Sequence, residues 1–349
     1  MRASSLSLLP FRALLASTLV LAACGEPDDA SDTDTDSTGE LTVLELALEG
    51  VGGADALAAM DGFEVSAEGD MWLFGEGFEA QLEDEERGTF ELTLTVDADS
   101  GGHLASWSRD VDNFGTPVPL NYDEVVSGDL GIVTGCDSVF GLCTGQMRSN
   151  RVAAVSKNVR LFNPHLLLAA AMDDPSLATE GEETTLDGRP HRVLSIEDHP
   201  SPVRLLVDAE TGVIGQAVTT EVEPVLGDVE VSVDFGGWEP AEGGALRFPS
   251  VATATSGGLL TSRELERSVR LVAPDADLLA PAADLVSNAD ADLHAWGETH
   301  GQWVNRSACA GVPFDGDQVS VTVVDLLAGS GMSGVYLLAG SHNTLLVAH

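Results

Sequence analysis

The side chains best spaced for chemistry lie late in the chain, in His294-Ala-Trp-Gly-Glu-Thr-His300, with Asp290 and Asp292 just before them. Two imidazoles and several carboxylates are the donor set of a zinc site when they converge. The spacing is not H-E-x-x-H and would not set both histidines on one face of a helix, so a surface loop is expected. His165 follows Pro164 inside an apolar run and reads as a core histidine, and His342 begins a strand-like segment and reads as structural. There is no G-x-S-x-G, no Walker pattern and no dinucleotide-binding glycine pattern, and the serines have no identifiable base partner. Asp32, Asp34 and Asp36 alternate as at the start of a calcium loop, but Ser37 stands where the turn needs glycine and Val43 where the loop needs glutamate. Cys136 and Cys143, in CDSVFGLC, can close a small loop or offer two thiolates to a metal, with no histidine nearby to complete a site. No catalytic and no metal-binding residue is therefore assigned, and the ligand-binding residues are left unknown.

The elements that would position any site are mostly strands. Phe63, Val65 and Ala67 alternate with polar residues, as do Phe90, Leu92, Leu94 and Val96, and Leu104–Val111 is a further candidate. Such alternation predicts sheets with one buried face. Asn113–Asn121 (NFGTPVPLN) is rich in turn formers and reads as a loop, and Gly131–Thr134 as a strand. Beyond the middle of the chain, His191–Ile196, Val203–Val207, Val213–Val222, Val229–Phe235, Arg247–Thr255 and Leu259–Val272 read as strands, with turns at Asp208–Gly212 and Gly257-Gly258. Leu41–Leu48 and Ala54–Met60 read as short helices.

One long segment breaks this pattern. In Arg148–Met172 an apolar stripe of Val152, Val155, Val159, Phe162 and Leu166 recurs at helical period, interrupted near Asn163-Pro164. Arg148, Arg151, Lys157 and Arg160 concentrate there, although the whole chain holds 16 Lys and Arg against 57 Asp and Glu. The helix is expected to plug the core of a sheet, its cations pairing with surplus carboxylates. The resulting fold class is α+β, a large curved antiparallel sheet packed on helices. Its hairpins resemble the half-barrels of the lipoprotein-carrier folds.

A formal charge of −41 excludes general nucleic-acid binding, since a polyanion is repelled at almost every approach. Arg2 and Arg12, then the apolar run Ala13–Ala23, read as an export signal too short to span a membrane stably. Leu21-Ala22-Ala23-Cys24 resembles the bacterial lipoprotein lipobox, which implies cleavage after residue 23 and acylation of Cys24. Gly25 follows, with no aspartate, and the resemblance then favours the outer membrane. Glu26–Gly39 is acidic and lacks large apolar side chains, so it reads as a flexible tether. Export to an oxidising compartment favours a Cys136–Cys143 disulfide over a metal, and leaves Cys309 without an obvious partner.

The last stretch, SGVYLLAGSHNTLLVAH (Ser333–His349), resembles the opening strands of metallo-β-lactamase-fold hydrolases. Stretches at Gly52, Asn121, Arg151 and Leu205 are similar to a domain that precedes that fold in exported bacterial hydrolases. The zinc-binding H-x-H-x-D-H loop is absent, so the resemblance implies a non-catalytic accessory or truncated N-terminal part, with zinc expected only if a missing catalytic domain were present. The alternative is a periplasmic carrier of lipid or lipoprotein. The expected division is a signal peptide at 1–23, a tether at 24–40, the α+β domain at 41–273, a linker at 274–317 and a β segment at 318–349. The expected partners are the membrane, through an acyl anchor, and a hydrophobic small molecule or lipid.

Overall fold

The computed structural model describes residues 41–74, 84–113, 116–137, 144–147, 149–198, 201–223, 227–283, 285–286, 320–324, 335–339 and 344–348. Helices α1 (Val43–Gly50) and α2 (Ala54–Ala58) come first. A meander of strands follows: β1 (Gly62–Phe74), β2 (Asp84–Asp97), β3 (His103–Asn113), β4 (Thr116–Ser127), β5 (Leu130–Gly135) and β6 (Gly145–Gln146). Helices α3 (Ser149–Phe162) and α4 (His165–Asp173) lead into β7 (Ala178–Glu180), β8 (Thr184–Leu186) and β9 (Arg189–Ile196). A second meander holds β10 (Val203–Asp208), β11 (Ile214–Glu223), β12 (Gly227–Gly236), the small pair β13 (Glu239–Pro240) and β14 (Arg247–Phe248), then β15 (Val251–Ser256) and β16 (Leu259–Leu271).

Fourteen strands form one open antiparallel sheet in the order β6-β5-β4-β3-β2-β1-β16-β15-β12-β11-β10-β9-β7, with β8 also on β9. The two meanders meet where β1 pairs with β16, Phe63 opposite Leu271 and Val65 opposite Val269. Helices α3 and α4 carry the chain from β6 at one edge to β7 at the other. Both edge strands are only two or three residues long, which limits the unpaired backbone offered to another chain. A separate three-stranded antiparallel sheet is made by β17 (Ser320–Val324), β18 (Val335–Ala339) and β19 (Thr344–Ala348).

Much of the Arg148–Met172 expectation is met. The helix stops at Phe162, and a second begins at His165 with Pro164 at its N-cap. Proline has no N–H to leave unbonded there. Helix α4 is apolar on almost every side, and His165, Leu166, Leu167, Leu168 and Ala171 are all buried in the main core with Val43, Ala47 and Leu57 of α1 and α2. Each buried leucine contributes about 2 kcal/mol of transfer free energy, which explains why α4 is central. Thr42 and Glu45 close a reciprocal capping box at the start of α1, a T-x-x-E signal legible in the sequence.

The expected loop at Asn113–Asn121 is instead largely strand β4. Pro117 and Pro119 face Asp112 and Asp110 of β3, while β5 pairs only with Tyr122–Ser127. The prolines therefore sit where β4 is locally an edge, and no ladder bond to β5 is missing.

The Asp208–Gly212 turn forms as expected. Asp208 Oδ1 accepts from the backbone N–H groups of Glu210 and Thr211 and from the Thr211 hydroxyl, and Gly212 adopts φ 72°. A Cβ on Gly212 would stand 2.2 Å from the Leu46 carbonyl oxygen of α1. Gly212→Ala is expected to lower the unfolding free energy by about 2 kcal/mol or more, from left-handed strain and the clash together. Urea denaturation monitored by tryptophan fluorescence checks this, and an unchanged midpoint would show that α1 does not rest on the turn.

Candidate functional site

Strand β3 presents His103, Ala105, Trp107, Arg109 and Val111 to one face in period-two alternation. Opposite this row lies α3. Between them is a cavity of about 130 Å³, lined also by Phe90, Leu92 and Leu94 of β2, by Val159 and Phe162 of α3, and by Val229, Val231 and Ala254 from the second meander. Leu92, Trp107, Val159 and Phe162 are only partly buried, because the helix and sheet do not close upon one another here. The apolar stripe of α3 is thus real, but along this stretch it faces a gap where a filled core was expected.

Polar contacts hold α3 across the gap. Near its N-terminus the buried Arg151 is paired with Glu124 of β4 and with Asp137 at 2.6 Å. Burial alone would weaken its protonation, but Glu124 and Asp137 outweigh that and raise its pKa. Glu124 also accepts a hydrogen bond from Trp107 Nε1 at 3.2 Å. Midway, Lys157 Nζ donates to the Ser201 carbonyl at 2.9 Å, and Arg160 pairs with Asp198 at 2.9 Å. Just beyond the C-terminus, Asn163 Oδ1 accepts from Nη2 of Arg267, whose Nη1 donates to both carboxylate oxygens of Glu264 at 2.8 and 3.0 Å.

Glu264 and Arg267 share the inner face although they are three residues apart on one strand. Alternation alone would put them on opposite faces. The β1–β16 register skips Leu265 between Glu68/Glu266 and Gly69/Glu264, a bulge that resets the alternation and leaves Leu265 exposed. A Cβ on Gly69 would stand 1.9 Å from the Arg263 carbonyl oxygen, so only glycine admits this close approach.

Of the residues singled out in the sequence, His165 lies at the core. Its Nε2 donates to the Arg247 carbonyl at 2.8 Å, and its ring stacks on Phe248 with centroids 3.8 Å apart. Cys136 is disulfide-bonded, while Cys143 lies outside the described residues. So do Cys24, Cys309, Asp290, Asp292, His294, Glu298, His300, His342 and the calcium-loop-like aspartates. Among the described residues no group of His, Cys, Asp and Glu is placed to hold a metal ion. His103, Trp107, Arg109 and Glu124 were not singled out. The available signal was parity, since His103, Ala105, Trp107, Arg109 and Val111 alternate with Leu104, Ser106, Ser108 and Asp110.

No protein-family model matches the chain, and no curated protein matches it. Among solved structures, the chain is similar to a LolA superfamily protein from Nitrosomonas europaea, at 10% identity and a TM-score of 0.40, over 69% of this chain and 99% of that one. These findings overturn the resemblance to a metallo-β-lactamase-fold hydrolase. Ser333–His349, the stretch that mainly carried it, contains β18 and β19 of the separate three-stranded sheet, and the others fall on α2, β4–β5, α3–α4 and the β10–β11 turn. These others serve a single antiparallel sheet with helices against it, and Arg151, within one of them, is an internal ion-pair partner.

Burial pushes the His165 imidazole down from 6.5 to about 3, and burial lowers His103 as well. Both are neutral in the fold and gain a proton on unfolding in mild acid. Their stabilisation is therefore complete above about pH 6.5 and declines as the pH falls, by up to about 1.4 kcal/mol per pH unit for each group. Urea midpoints measured from pH 7 to 5 should fall, and His165→Phe should flatten that slope even though it costs stability at pH 7. An unchanged slope in the variant would mean that His165 is accessible to protons in the native state.

Proposed function

We propose that this chain is an envelope protein that holds an apolar chain, such as a lipid acyl group, between α3 and its sheet. The observation that carries this is the cavity itself, mostly apolar on both walls though Glu124, Glu221, Glu264 and Arg267 also line it, and bounded by side chains that are incompletely covered. Its free volume of about 130 Å³ is near the ~150 Å³ of an engineered apolar cavity that takes a benzene-sized guest. Typical ligand sites occupy ~300–1,000 Å³, so a longer chain would require α3 to move outward from the sheet.

Eight successive strands, β4 to β11 through the β1/β16 junction, contribute to this one cavity. Laid flat, seven strand spacings would extend roughly 34 Å, whereas a helix with its side chains is only about 10–12 Å across. That mismatch supports a sheet curled around α3 as an incomplete barrel. Acylation of Cys24, with residues 24–40 as a tether, would hold the body near a membrane surface, and a Cys136–Cys143 disulfide would suit the same compartment. The lipobox resemblance supports export to the cell envelope, with the outer membrane as its destination.

Purified protein should enhance the fluorescence of the neutral probe N-phenyl-1-naphthylamine, and long-chain lipids should displace the probe. Val159→Trp, which places a larger side chain against the cavity, should weaken probe binding about tenfold or more while leaving the far-ultraviolet circular dichroism unchanged. No enhancement with the native chain, or equal binding by a folded Val159→Trp variant, would rule out this cavity as the binding site.

A further inference from the structure

Arg109 lines the cavity and is 6% exposed. Its guanidinium lies 4.2 Å from the centre of the Trp107 ring and 5.4 Å from that of Tyr122. Its Nε has no hydrogen-bond partner, and the side chain makes no ion pair with any described residue. Arg151 and Arg267, the other buried arginines, also leave Nε without a partner, but their terminal nitrogens are paired. Arg151 holds both Glu124 and Asp137, and Arg267 holds Glu264 and Asn163.

This contrast bears on what the cavity accepts. A guanidinium keeps its charge in proteins and offers five donors in a planar fork suited to a carboxylate or phosphate. Leaving the Nε donor unspent in a buried place is costly, and the ring contacts offset only part of that cost. Among the acids around the cavity, Glu124 and Asp137 are paired with Arg151 and Glu264 with Arg267. Towards the other end of the same inward row is His103, roughly 20 Å along the strand, with Ala105 and Trp107 between. The cavity thus has an apolar track with one unspent cationic fork near an end.

We propose that Arg109 anchors the head of the ligand, and that the cavity takes an amphiphile with one anionic head, a carboxylate or a phosphate, on an apolar chain. This rests on the cavity being the binding site. The anion enters with its chain along the β3 row and its oxygens on the Arg109 fork.

The test is isothermal titration of the full chain with dodecanoate, dodecyl phosphate, dodecanol and acetate. The native protein should bind the two charged amphiphiles about ten- to hundredfold more tightly than dodecanol, the range expected of hydrogen bonds to a charged group. Acetate should bind far more weakly than dodecanoate, and the ratio of dodecyl phosphate to dodecanoate then identifies which head is preferred. Arg109→Gln should lose the preference for the charged amphiphiles over dodecanol, and Arg109→Lys should keep part of it. Circular dichroism establishes that each variant is folded. If Arg109→Gln does not fold, the native ligand series together with Arg109→Lys decides. Equal affinity of the native chain for dodecanoate and dodecanol, or a preference that survives in folded Arg109→Gln, would overturn the anchor while leaving an apolar cavity in place. No binding of any chain-bearing ligand would overturn the cavity and the anchor together.

Discussion

Helix α3 is suspended by charge. Arg151 fixes its first turns to Glu124 and Asp137, Lys157 and Arg160 tie its middle to Ser201 and Asp198, and the Arg267–Glu264 pair holds Asn163 just past its end. Buried ion pairs bring little net stability compared with apolar packing, but breaking one partner away is severe. They are directional, so they can fix a helix at a set distance from a sheet without needing the space between to be filled. An interface made only of leucine and valine would collapse until its voids closed. Here the apolar surfaces of α3 and β3 stay apart, and the cavity follows from that separation.

The two helices of the central segment divide the labour accordingly. Helix α4 is apolar all round and supplies core, packed with α1 and α2. Val152 and Val155 of α3 join a smaller cluster with Tyr122, Val126, Val133 and Met147, whereas Val159 and Phe162 are only partly buried. Pro164 separates the two roles by ending one helix and capping the next. The disulfide-bonded Cys136 adjoins Asp137, one of the Arg151 partners.

Much of the architecture was legible in the sequence because period-two alternation and glycine turns are local signals. The strands around Phe63, Phe90, Val203 and Val229 and the Asp208–Gly212 turn follow from neighbouring residues alone. Strand β4 was obscured because Pro117 and Pro119 are acceptable only where β5 ends, a fact of the register. The cavity was less legible still. A helical stripe shows that α3 needs an apolar partner, but the distance at which it is held depends on Glu124, Asp198 and Glu264, contributed by three distant strands or loops. The bulge that turns Glu264 and Arg267 to one face depends on pairing with Gly69. Arg109 went unread, although an arginine sharing parity with Ala105, Trp107 and Val111 is a local anomaly.

The chain carries a large excess of acid, yet Arg109 beside the cavity forms no ion pair with the described acids. Surface acidity keeps such a body soluble and away from polyanions, while the interior combines apolar walls with fixed ion pairs. The most direct measurement is native mass spectrometry of the protein purified from cells without exchange of bound lipid. One amphiphile per chain, noncovalent and released by gentle collisional activation, is the expected result. Protein carrying no such adduct, under conditions that preserve a control lipid complex, would contradict a chain-holding cavity beneath α3.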